Sequence, residues 1–99
     1  MFLYNVTVIA DTDIHGAIRE AIEQQLRSYP KTTVRLLELV DSPHEGVTYC
    51  IHLYAEDEAA IGQFQQTHLL RLQQLANSEY AGKVLFFDSK MKYLIDFSQ

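Results

Sequence analysis

Four histidines, one cysteine and six tyrosines are the side chains of this 99-residue chain with the chemistry to do more than pack. Histidine titrates near neutrality, so it can act as a general base, orient a ligand or hold a metal. His52 lies in an alternating apolar and polar stretch, where period two gives it the same face as Thr48, Cys50 and Tyr54. Its plainer role is a polar contact with a partner chain, and that is the favoured reading. His68 falls on the inner stripe of a helix, where a half-buried histidine bonded to a nearby oxygen is the plain expectation. His15 and His44 sit at a helix start and a loop tip, and neither has a second ligand at metal-binding spacing. His15 with Asp11 and Asp13 makes at best a weak cation site, because helix capping already accounts for the aspartates. No metal is expected. Cys50 has no basic neighbour in sequence to hold it as a thiolate, so it reads as a small interface residue.

Composition narrows the classes further. The net charge is −5, with no stripe of Lys or Arg, which disfavours nucleic acid and anionic membranes as partners. No P-loop, dinucleotide fingerprint, Cys-x-x-Cys pair, nucleophile elbow or acidic metal cluster is present, and no cofactor is expected. A single cysteine fits a reducing compartment, and a cytoplasmic location is expected. The N-terminus has no basic leader region and no stretch is long and apolar enough to span a bilayer. Asn5-Val6-Thr7 matches a glycosylation sequon that a cytoplasmic chain would not use.

These residues need elements to position them. Phe2 to Ala10 alternates as a strand, with Tyr4, Val6 and Val8 on one face and Asn5, Thr7 and Ile9 on the other. Asp11-Thr12-Asp13 supplies a turn and a helix N-cap. Ile14, Ala17, Ile18, Ala21, Ile22 and Leu26 then form one helical stripe, which Ser28-Tyr29-Pro30 ends. Thr33 to Val40 is a second strand, Asp41 to Gly46 a hairpin loop, and Val47 to Ala55 a third strand. Glu56-Asp57-Glu58 opens a second helix whose inner stripe is Ala60, Ile61, Phe64, His68, Leu72 and Leu75, with Leu69 and Ala76 beside it. Lys83 to Phe97 is β-like but interrupted at Asp88-Ser89-Lys90. It is either one strand with a bulge there or a fourth strand plus a short fifth that pairs elsewhere.

One domain of βαββαβ order, residues 1–99, follows. Right-handed crossovers put both helices on the same side, giving an α+β ferredoxin-like plait: a four-stranded antiparallel sheet with two helices on one face. The other face carries Asn5, Thr7, Ile9, Thr48, Cys50, His52 and Tyr54, with Arg35, Leu37, Leu39, Leu85 and Phe87 joining from the outer strands. This set is too apolar for a solvated face and too polar for a plain core. Homodimerisation through the open face resolves the conflict, with the polar members lining the interface or a cavity within it.

Tyr4-Asn5-Val6-Thr7-Val8 in the first strand and Gly46-Val47-Thr48-Tyr49-Cys50-Ile51 in the third, with His68 late in the second helix, resemble the domain-of-unknown-function 4286 family of small bacterial proteins. The chain departs from that pattern at Cys50, at His52, at Leu69-Leu70 and in its longer last strand region. The resemblance implies a ferredoxin-like fold similar to dimeric α/β-barrel proteins, and it carries no established activity. Three readings of function stand side by side. The leading one is a non-catalytic homodimer that binds a small molecule or a protein. The second is a cofactor-independent oxygenase or isomerase of the dimeric α/β-barrel type, using His52 or His68. The third is a purely structural assembly module.

Overall fold

The computed structural model describes residues 1–30 and 32–95. Strand β1 (Phe2–Ala10) leads into helix α1 (His15–Leu26), then strands β2 (Val34–Glu38) and β3 (Val47–Ala55). A second helix follows, and strand β4 (Val84–Lys92) completes the sheet. The strand order is β2-β3-β1-β4 and every neighbouring pair is antiparallel, which is the ferredoxin-like plait. Tyr4, Val6, Val8 and Ala10 are buried on one face, opposite Leu53, Ile51, Tyr49 and Val47 in register. Ile18, Ile22 and Leu26 of α1 and Ile61, Phe64 and Leu72 of the second helix close over them as a single core. No helix among the described residues is long and apolar enough to cross a membrane.

The second helix is continuous but not uniform. It runs as α2 (Glu58–Phe64), a π-helical turn (Gln65–Leu69) and α3 (Leu70–Glu79). A π turn inserts one residue into the helical repeat, so it rotates everything after it. The buried stripe therefore passes from Ile61 and Phe64 to Leu69, Leu72 and Ala76. The expected stripe is corrected accordingly: His68 and Leu75 are only half-buried, and Ala60 is exposed. At the turn, Gln65 Nε2 donates to Tyr4 Oη at 3.2 Å, and the Tyr4 hydroxyl donates to Asp88. The phenol in the middle of the core is thus fully partnered. Burial, reinforced by Asp88, pushes its pKa up to about 12.

Three further expectations change. The first concerns the cap of α1. Its N-cap is Ile14 and makes no side-chain bond, while the chain enters through the backbone bond from Ile14 N to Asp11 O. Asp13 instead accepts from Lys83 Nζ at 2.8 Å, tying the start of α1 to the approach to β4. By contrast Asp57 does cap α2, accepting from Ala60 N. The second concerns β4, which is unbroken. It pairs with β1 at constant register from Ala10↔Val84 to Phe2↔Lys92, with no bulge at Asp88-Ser89-Lys90. Asp88 points to the helix side, where Tyr4 explains its polarity. Phe97, in the expected extension, lies outside the described residues. The third concerns β2, which is shorter than Thr33 to Val40, although backbone bonds at Thr33 and Leu39 continue its ladder by one residue each way.

Candidate functional site

The open face of the sheet is read most clearly as rows across the strands. The registers align Leu37, Cys50, Thr7 and Phe87 in one row, and Arg35, His52, Asn5 and Ser89 in the next. A further row carries Tyr54, Leu3 and Met91. A polar stripe therefore crosses all four strands between two mostly apolar rows. Leu37 (43%), Phe87 (57%), Leu85 (58%) and Met91 (45%) are exposed large apolar residues on this face. Of its fourteen strand positions only Arg35 is charged, and none is a carboxylate.

Both ends of the face are occupied by the chain itself. At one end the β2–β3 loop folds back, with Ser42 Oγ at 3.2 Å from Thr48 Oγ1, and Thr48 is only 1% exposed. Gly46 makes this path feasible. It has a φ of +86°, and a Cβ there would stand 2.3 Å from Ala10 O. At the other end Tyr93 stacks on Tyr54 with ring centroids 5.5 Å apart. Leu94 and Ile95 continue beside Leu3 and Met91 around a concavity of about 440 Å³.

The sequence placed Asn5, Thr7, Thr48, Cys50, His52 and Tyr54 on one face, and the structure puts all six there. It does not make them equally available. Thr48 is sealed under the loop and Tyr54 is partly covered by Tyr93. Asn5 Nδ2 donates to Thr7 Oγ1 at 3.0 Å, while Cys50 and His52 are half-buried and open to one side. His68 is not part of this set. It lies across the sheet, on the helix side, with Nδ1 at 2.9 Å from Gln25 Oε1 and its ring edge-on to Tyr29. Burial, with help from Arg71, lowers its pKa below the usual 6.5.

One feature is absent from any sequence reading. Helix α1 leaves the helix-side flank of β2 uncovered, so an open groove of about 560 Å³ runs between them. Leu26, Tyr29, Val34 and Leu36 are among its apolar lining, and Arg27 and Glu38 also reach it. At its end Tyr49 Oη meets His15 Nδ1 at 2.8 Å. Among the described residues no group of three or more His, Cys, Asp or Glu is placed to hold a metal. His44 is exposed on the loop, its backbone N–H bonded to Ser42 Oγ. The groove arises from packing between a helix and an edge strand, for which linear spacing gives no signal.

Solved structures share this architecture at low identity. A dimeric ferredoxin-like protein from an uncultured marine organism superposes with a TM-score of 0.63 at 14% identity, covering 96% of each chain. A variant of SnoaB, a cofactor-independent oxygenase from Streptomyces nogalater, gives 0.63 at 8% identity, covering 99% of this chain and 98% of that one. The de novo designed protein Foldit4 gives 0.61 at 8% identity over 93% of this chain and 96% of its own. Natural and designed proteins therefore converge on the backbone, which carries no activity by itself. No curated protein sequence matches the chain at a significant level. The sequence does match the family model described as a domain of unknown function, DUF4286, over residues 1–94, and the chain belongs to that family.

Proposed function

We propose that the protein is a non-catalytic homodimeric binding module whose two copies pair through the open sheet face. The observation that carries this reading is the composition of that face: exposed Leu37, Leu85, Phe87 and Met91 beside a single charge. Charge depletion with large apolar and aromatic side chains is the mark of an interface core. The occupant is a second copy because this face carries a single charge, Arg35, among large apolar side chains and is large enough to hold its twin. Strands about 4.8 Å apart and up to roughly 30 Å long give a flat footprint on the order of 500 Å². Side-chain relief raises the accessible area toward the ~800 Å² per partner of a stable pair. One structural neighbour is itself described as dimeric, which fits. The half-buried Cys50, the chain's single cysteine, fits a reducing compartment such as the cytoplasm.

An oxygenase or isomerase reading draws only on the shared fold. His52 and His68 stand on opposite sides of the sheet, and neither lines the two concavities described above. The binding reading is therefore the one the geometry favours. Sedimentation velocity tests it. The expected mass is that of two chains across the micromolar range, and Phe87→Lys, which plants a charge in the apolar row, should give a folded monomer. A wild-type monomer throughout that range overturns the proposal.

A further inference from the structure

The row Arg35, His52, Asn5 and Ser89 has a consequence once two such faces meet. Arg35 and His52 are directly paired in register, as are His52 and Asn5, and Asn5 and Ser89. Arginine offers five N–H donors and no acceptor. One amide N–H of Asn5 is already given to Thr7. No carboxylate occupies any strand position of the face, so a second copy stacked on it brings no strand carboxylate to Arg35. A buried charge without a partner is expensive, and a buried donor without an acceptor nearly as much. The row is thus rich in donors and short of acceptors.

We infer that the paired faces take up a small oxyanion, a carboxylate or phosphate group, at the Arg35–His52 end of this row. This rests on the homodimer proposed above and names the chemistry that homodimer would bind. Arg35 supplies a planar fork that matches two oxygens of such a group, and His52 stands beside it on the next strand. The apolar rows on either side, Leu37 to Phe87 and Tyr54 to Met91, exclude water from the stripe and would hold the carbon skeleton of an organic acid.

The test is the dimer dissociation constant measured in sodium chloride, in sodium acetate and in inorganic phosphate at matched ionic strength. Matching removes general screening, which chloride supplies equally well. Acetate or phosphate should tighten the dimer about tenfold or more, since binding to the paired state alone shifts the equilibrium. The better of the two identifies the ligand as a carboxylate or a phosphate. Arg35→Leu removes the unpaired charge, so it should pair at least as tightly as wild type in chloride and lose the response to acetate and phosphate, whereas Arg35→Lys should keep part of it. Equal constants in all three salts overturn the inference while leaving the dimer intact, as would a full response in Arg35→Leu. A monomer in all three overturns the pairing as well.

Discussion

The two faces of the sheet are made by the same strands and are finished in opposite ways. On the helix side the chain closes its own surface: Tyr4, Val6, Ile51 and Leu53 are essentially inaccessible. Even the phenol of Tyr4 is answered by Gln65 and Asp88. On the open side the chain leaves Leu37, Leu85, Phe87 and Met91 exposed around a polar row that has few partners of its own. The difference teaches that residue parity divides the work. In β3, Ile51 is buried in the core, while its neighbours Cys50 and His52 lie on the open face. Under the proposed pairing, stability and association should therefore respond separately to substitution of adjacent residues.

Substitution of such neighbours gives the largest contrast. Ile51→Ala should lower unfolding free energy by about 2–5 kcal/mol, through lost burial plus the cavity left behind. Cys50→Ala should change it by less than about 0.5 kcal/mol. Urea denaturation at high dilution, which favours the single chain, measures both, and equal losses would break the division of faces.

A smaller effect is expected at Tyr4. Tyr4→Phe leaves Gln65 and Asp88 without their shared partner and should cost about 1–2 kcal/mol at neutral pH. The pH dependence sharpens the point. An unfolded tyrosine ionises near 10, whereas the folded Tyr4 keeps its proton to about 12. Between those values the unfolded chain binds fewer protons, so stability falls as pH rises. Thermal denaturation across this window should show a shallower decline in Tyr4→Phe than in the wild type.

The smallest effect lies at His68. Its folded pKa is below the ordinary 6.5, so the unfolded chain takes up protons first as pH falls. Stability from this group is present above the unfolded value and is lost as pH drops through the folded one. His68→Gln should flatten that acid limb. Substituting His52 in the same way should move the dimer equilibrium and leave the unfolding of the single chain nearly unchanged. A matching change in unfolding for both histidines would argue against their assignment to different faces.

Much of this arrangement is legible in the sequence because alternation is local. Strands β1 and β3 follow from period two to the residue, and that fixes which side chains share the open face. The π turn is visible only as a five-residue step from Phe64 to Leu69. A helix-period reading absorbs such a step by assigning His68 to the stripe. The polar triplet Asp88-Ser89-Lys90 looks like an interruption until Tyr4, 84 residues away, is seen to require Asp88. Thr48 reads as an available hydroxyl, and only the folded-back loop shows that it is covered. What escapes the sequence in each case is a contact between distant segments, which no local period encodes.

Strand β4 carries one more consequence. Strands β2 and β4 are the edges of the sheet, and the proposed face-to-face pairing would leave both unpaired, each offering a row of backbone donors and acceptors to further chains. Uncharged edges would let such stacked pairs grow sideways into a two-layer ribbon of the cross-β kind. On β4 the exposed Asp88, Lys90 and Lys92 put charges along that edge, and on the shorter β2 the exposed Glu38 does the same. The triplet that breaks the apolar pattern of the last strand thus also guards this edge against strand-by-strand growth.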